Sequence, residues 1–461
     1  MTPADIPRRI YVLSLILVLA LGTVTFLVTI KMSRAGTLVK TDGLAYFLYA
    51  RSAVIDFDTD ITNEFETLDA RIPEGYDNMM VALRKHGKWH PESGRIVVPW
   101  PVGSGLVMVP FYALGWGAEC LAAWATGREP DSYGLVPQFF YGMGSLLYGL
   151  LGFWCTVFLC ARVAGAVQTR IFRVPAPWLV PLVMMGAGSA VFYIFISPSM
   201  SHAASMGILA LLAFLWWQRW DGEAEGIAVL GLLLGILMTV RYQNTMFFPL
   251  LVALVLKTWW QGSFSKALRQ AVVGIAALLV PVSIQVAHYF TQHGFSRHGV
   301  GVGSSSFQLE QNEVSLISYR FFHILFDCLH GAIYWTPIVG LALVGLIWAS
   351  RQEGWARIFL ATFCIHVYLL GSLADGTAGH AFGMRYLIEN TPLLATGLTF
   401  LLVHTRGRVP TPVWAGLFGF LLAANALLIL AFGAGTISGT DCVTHGQMLQ
   451  GIGEALGRFF G

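Results

Sequence analysis

The run SGLVMVPFYALGWGAECLAAWAT, Ser104 to Thr126, decides how this 461-residue chain is threaded. As a helix rising about 1.5 Å per residue it is long enough to cross a bilayer. It nevertheless carries Glu119 in its interior. Downstream lie further apolar runs at 136–161, 177–197, 202–218, 226–240, 245–257, 269–290, 331–349, 356–373, 386–403 and 412–432. The basic connections between them hold Arg162/Arg170/Arg173, Arg219, Lys257/Lys266/Arg269, Arg351/Arg357 and Arg406/Arg408. If 104–126 crosses, every one of these clusters faces outward. If it lies in the interface or re-enters, all of them face the cytoplasm, as positively charged loops prefer. The charge pattern therefore predicts an embedded, non-crossing element at 104–126.

The composition agrees with a membrane protein. The chain is 56% hydrophobic and 11% charged, with a mean hydropathy of +0.65, whereas soluble domains carry about a quarter charged residues. A net charge of +3 gives no footprint for nucleic acid. Arg8 and Arg9 precede the apolar run Ile10 to Ile30, and Met32-Ser33-Arg34-Ala35-Gly36 lacks a small-x-small cleavage site, so this run reads as a retained span. The expectation is an all-α polytopic membrane protein of about eleven spans, with its amino terminus inside and its carboxyl terminus outside. Residues 1–461 form one membrane domain. Its first external loop is 32–135, its second is 291–330, and its external tail is 433–461. Cys120, Cys155, Cys160, Cys328, Cys364 and Cys442 have no metal-ligand spacing and read as small core residues rather than a disulfide framework.

This threading gathers the polar motifs on one face. Lys40 and Asp42 follow the first span, with Tyr46 a helical turn further on and Asp56, Asp58, Asp60 and Glu64 beyond. A carboxylate at Asp42 would sit near the lipid–water boundary, though a merely solvated acidic loop reads the same. Ser201-His202 lies between two spans, as either a helix cap or a phosphate contact. Arg241 and Asn244 join two spans that are short for a bilayer, which suits a water-filled cavity; snorkelling to the headgroups is the alternative for Arg241. Asp375, His380 and Arg385 complete the set. Guanidinium groups suit phosphate because their fork makes paired, charge-assisted bonds. Asp375 could instead pair with Arg385 structurally.

Asp56-Phe57-Asp58-Thr59-Asp60 has the flavour of a calcium loop, but Ile61 stands where an EF-hand needs glycine and Thr67 where it needs glutamate. A divalent cation is left open as a cofactor, with no ligand set identified. His86, His90, His323, His330 and His366 show no paired spacing.

In this order the motifs resemble the GT-C superfamily of polytopic glycosyltransferases, in particular the branch of protein mannosyltransferases and the lipid A aminoarabinose transferase. The matching pieces are Asp42-Gly43 with Tyr46, Pro101-x-Gly103, Ser201-His202-Ala203 and Gly231-x-x-x-Gly235 leading to Arg241. His330-Gly331 with Trp335-Thr336-Pro337, and Phe382-Gly383-x-Arg385-Tyr386, complete them. The usual second acid of the family's paired motif is not crisp here; Asp56, Asp58, Asp60 and Glu64 are its candidates. The resemblance implies inverting transfer of a sugar from a polyprenyl phosphate carrier to a glycan, lipid or protein acceptor. It implies the bacterial cytoplasmic membrane, a site facing the periplasm or exterior, and membrane lipids as further partners. On that reading Asp42 is the base, and Lys40, Arg241 and Arg385 serve the donor phosphate with support from His202 and Asn244. Tyr46, Asp375 and His380 join the acceptor-side candidates. A lipid-linked glycan flippase would show repeat symmetry and midplane polar groups. An O-antigen ligase or polymerase would carry its large loop late in the chain.

Overall fold

A computed structural model of the chain describes residues 7–32, 37–72, 80–91, 93–165, 170–171, 174–222, 226–293, 320–372 and 379–460. The architecture is all-α. In chain order the helices are α1 (Arg8–Met32), α2 (Asp42–Ile55), α3 (Thr62–Arg71), α4 (Val81–His86), α5 (Gly103–Leu106), α6 (Val109–Thr126) and α7 (Leu135–Ala164). Then come α8 (Ala176–Gly186), α9 (His202–Trp220), α10 (Ile227–Val240), α11 (Phe248–Trp260), α12 (Phe264–His293) and α13 (Phe321–Phe326). The chain closes with α14 (Ala332–Trp335), α15 (Ile338–Ser350), α16 (Gly354–Ser372), α17 (Thr391–His404), α18 (Thr411–Gly433) and α19 (His445–Phe460). The strands among the described residues form two antiparallel hairpins: Lys88–Trp89 with Ile96–Val97, and Arg170–Ile171 with Val174–Pro175.

By length and composition, six helical segments among the described residues can cross a bilayer: α1, α7, α12, α16, α18 and the segment Arg385–His404 that contains α17. The helices α8, α10 and α15 are apolar but shorter. Each apolar run read from the sequence is helical over most of its length, and some are interrupted by breaks. The run 177–197, for instance, splits into α8 and a π-helical turn at Phe192–Ile196. Backbone carbonyls freed in such a break need donors when water is absent. Asn425 of α18 supplies them, its Nδ2 donating to the carbonyls of Gly186 at 2.8 Å and Gly188 at 3.0 Å.

Close packing comes from small residues. A Cβ on Gly231 would lie 2.1 Å from the Gly274 carbonyl oxygen, and one on Gly235 would lie 2.3 Å from that of Leu278. Helices α10 and α12 therefore touch backbone to backbone, as small-xxx-small faces allow in membranes. That crossing fixes the end of α10, and Arg241 is the next residue. Trp216 of α9 is fully buried in the core and donates to the Leu250 carbonyl at 2.7 Å, so even its polar atom is satisfied.

The beginning of α2 is fixed as firmly. Gln138 Oε1 of α7 accepts from Thr37 Oγ1 at 2.7 Å, from the Leu38 amide at 2.9 Å and from the Val39 amide at 3.1 Å. This strap delivers the chain to Thr41, whose φ of 51° is uncommon for a residue with a branched β-carbon. Asp42, the first residue of α2, follows it directly.

One expectation needs correction. The cysteines are not all core residues: Cys328 and Cys442 form a disulfide across 114 positions. The tail folds back over the loop after α13, bringing together two cysteines that no sequence spacing relates. Five helices, the short α14 and the longer α15 to α18, lie between them.

Candidate active site

Asp42, Tyr46, His202, Arg241 and Arg385 come from four distant parts of the chain and meet at one place. Arg385 Nη1 lies 3.2 Å from Asp42 Oδ2. Arg241 lies against the His202 ring, its Nη1 2.9 Å and 3.0 Å from the two ring nitrogens, and donates to Ser201 Oγ at 3.2 Å. Ser201 thus receives an arginine and makes no side-chain cap to α9. The Tyr46 hydroxyl bonds Ser201 as well, and burial drives its pKa upward, so it stays a phenol. Tyr386 sits between the two cations, with the Cζ atoms of Arg241 and Arg385 each 5.4 Å from its ring centre. Cation–π contact with one ring holds both guanidinium groups toward the same space.

The neighbourhood contains an acid that the sequence reading passed over. Glu389, in the 3₁₀ turn Arg385–Asn390 that precedes α17, is fully buried. Its Oε1 lies 3.0 Å from Arg241 Nε and 3.7 Å from His202 Nδ1. The signal was present: an ionisable residue inside an apolar run marks a site by default. Tyr193 was also missed. Its ring lies 4.5 Å from that of His202, and its hydroxyl accepts the Phe382 amide at 3.1 Å.

The two acid–arginine pairs differ in access. In the Asp42–Arg385 pair the side chains are 19% and 13% exposed; in the Glu389–Arg241 pair they are 0% and 7% exposed. A ligand can reach the first pair, while the second is sealed.

Backbone conformation aims Arg385. Gly383 has φ of 60°, and a Cβ there would lie 2.5 Å from Ser189 Oγ, so this position requires glycine. Phe382, just before it, is buried against Phe192 and Phe432 at ring distances of 5.1 Å and 5.5 Å.

The other sequence candidates lie elsewhere or act differently. Lys40 is partly buried two residues before Asp42, and burial lowers its pKa. Asn244 ties its turn to α9 and α10, with Nδ2 donating to Ser205 Oγ and to the Leu237 carbonyl, both at 2.8 Å. Asp56, Asp58, Asp60 and Glu64 lie beyond the far end of α2, whose 14 residues span about 20 Å. There Arg51 binds Asp56 and Glu64, Arg95 Nε meets Asp60 at 2.9 Å, and Asp58 accepts from Ser52. His380 is exposed and stands 5.4 Å from the Phe432 ring. Asp375 falls outside the described residues. No three His, Cys, Asp or Glu side chains among the described residues form a metal-ligating group.

The Arg385 guanidinium can hold a phosphate-sized anion beside the Asp42 carboxylate, with the buried Arg241 adding positive charge to the neighbourhood. No family model matches the chain, and no curated protein matches it. Among solved structures it is similar to the crystal structure of ArnT from Cupriavidus metallidurans bound to undecaprenyl phosphate, at 15% identity and a TM-score of 0.48. That alignment covers 92% of this chain and 65% of the ArnT chain.

Proposed function

We propose that the protein is an inverting glycosyltransferase of the GT-C kind that takes its sugar from a polyprenyl phosphate carrier. The observation that carries the reading is the accessible Asp42–Arg385 pair beside Arg241 and His202, at the junction of a juxtamembrane helix with apolar helices. The Asp42 carboxylate takes the proton of the acceptor hydroxyl as that oxygen attacks the anomeric carbon. The bond from that carbon to the phosphate oxygen breaks, and the polyprenyl phosphate leaves with the electron pair. Arg385, Arg241 and Lys40 stabilise the charge it gains in a site of low dielectric. The acceptor is a glycan, lipid or protein hydroxyl.

The site faces the exterior of the bacterial cytoplasmic membrane, with 104–126 embedded but not crossing. The disulfide supports this orientation: both cysteines must share a side, and such bonds persist in oxidising compartments.

The test is sugar transfer by the purified chain in lipid vesicles, with membrane extract from a bacterial host supplying acceptors and radiolabelled polyprenyl phosphate sugars as donors. Asp42→Asn is expected to lower turnover by about two orders of magnitude or more while the protein still inserts. Undiminished turnover of that variant would remove Asp42 as the base. Flipping of the labelled donor without transfer would replace the enzyme reading by transport.

A further inference from the structure

We propose that Arg385 is a specificity-determining residue: it holds Asp42 in an ion pair until the phosphate of the donor takes the carboxylate's place. The inference rests on the transferase reading above and extends it. In the structure the groups assigned to base and phosphate are bound to each other, Arg385 Nη1 to Asp42 Oδ2 at 3.2 Å. A carboxylate so held points its charge at the guanidinium rather than at an acceptor hydroxyl. The base becomes available only when another anion occupies Arg385, and a neutral lipid carrying the same sugar cannot do this.

Three features favour an exchange over a fixed pair. The pair is reachable, whereas the neighbouring Glu389–Arg241 pair is not. Arg385 Nε is buried and has no hydrogen-bond partner among the described residues, so the guanidinium has a donor in reserve for a second anion. Finally, the arginine is the anchored member: Gly383, the Phe382 amide on Tyr193 and the Tyr386 ring fix its approach. A phosphate brings more charge than a carboxylate and accepts paired bonds from the fork, so it wins the competition.

The experiment measures binding, not turnover. Farnesyl phosphate and farnesol are titrated calorimetrically into the full-length detergent-solubilised protein, with thermal unfolding as a check that each variant is folded. Because Asp42 competes with phosphate, Asp42→Asn is expected to bind farnesyl phosphate about two- to fivefold more tightly, the value of one partly exposed ion pair. Farnesol should show no such gain. In an Arg385→Ala background the Asn substitution should add nothing, because the competition has lost its object. An equal gain with Arg385 absent, or an equal gain for farnesol, would mean general electrostatics or packing and would overturn the exchange. So would unchanged affinity in Asp42→Asn, while loss of transfer in that variant would leave the transferase reading standing. Failure of the wild-type protein to bind farnesyl phosphate would remove both.

Discussion

Glu389 Oε1 and Arg241 Nε lie 3.0 Å apart in a space that water scarcely enters. Burying two charges is costly, and breaking such a pair leaves one of them uncompensated, at about 3–5 kcal/mol. Glu389→Gln is therefore expected to lower the unfolding temperature in detergent markedly. Glu389→Gln combined with Arg241→Met should be more stable than Glu389→Gln alone, because no buried charge is then orphaned. Equal stability of the single variant and wild type would show that the pair is not closed to solvent.

Replacing Arg385 by lysine keeps a charge but loses the planar fork and the Tyr386 stacking. Transfer by Arg385→Lys should fall about tenfold or more, and further in Arg385→Ala, with thermal unfolding recorded to confirm that each variant is folded. Full activity in Arg385→Ala would remove it from the phosphate side. Steady-state rates at saturating donor decide the matter.

Gly383→Ala tests how the backbone aims that arginine. The new methyl meets Ser189 Oγ, and a φ of 60° disfavours any residue with a β-carbon. A destabilisation of about 1–3 kcal/mol is expected, with activity falling more than stability explains. Adding Ser189→Ala should relieve the clash but not the backbone strain, so the double variant should recover only in part.

Glu64 gives the first loop a pH response. Its carboxyl is buried, and desolvation raises its pKa to about 7 even though Arg51 Nη1 stands 2.9 Å away. An unfolded glutamate titrates near 4.3. Between these values the folded state holds more protons than the unfolded one, so stability declines as pH rises from about 4.5 to about 7. Unfolding temperature measured across that window should fall in wild type and stay flatter in Glu64→Gln. Identical slopes would show that Glu64 does not titrate there.

Orientation can be read by thiol labelling, once Cys442 is recognised as bonded rather than free. In spheroplasts of a strain in which Cys120, Cys155, Cys160 and Cys364 are replaced by serine, an impermeant maleimide should label Cys328 and Cys442 only after treatment with an impermeant reductant. A Gln352→Cys variant in the same background should label at that position only after lysis. The reverse pattern would turn the chain over and place 104–126 across the membrane.

Much of the bundle was legible because apolar runs and basic connections are direct statements about lipid and water. The convergence of Asp42, His202, Arg241 and Arg385 followed from assigning faces, although the pairings did not. Charge pattern names the side of the membrane on which a residue lies, not the residue it meets. Glu389 was hidden inside the apolar run 386–403, where averaging over a window suppresses a single acid. The acids 56–64 misled through proximity in sequence. The helix α2 carries the chain about 20 Å from Asp42 before they begin, and only knowing that this stretch is a continuous helix separates them. The Cys328–Cys442 pair depends on the return of the tail, which no local pattern encodes.

That return has a consequence for how the protein is made. Cys328 emerges from the ribosome before α14, and its partner only after α18, so the bond cannot close until the four longer intervening helices, α15 to α18, have been placed. If each of the four crosses the bilayer, as the proposed threading has it, any error that leaves an odd number of them in place strands the two thiols on opposite sides. Such a chain carries a lone reactive sulfur exposed to whatever oxidases and isomerases patrol that compartment. Closure is thus a count of completed crossings, registered in a covalent bond, and a quality-control system could read it without inspecting the fold.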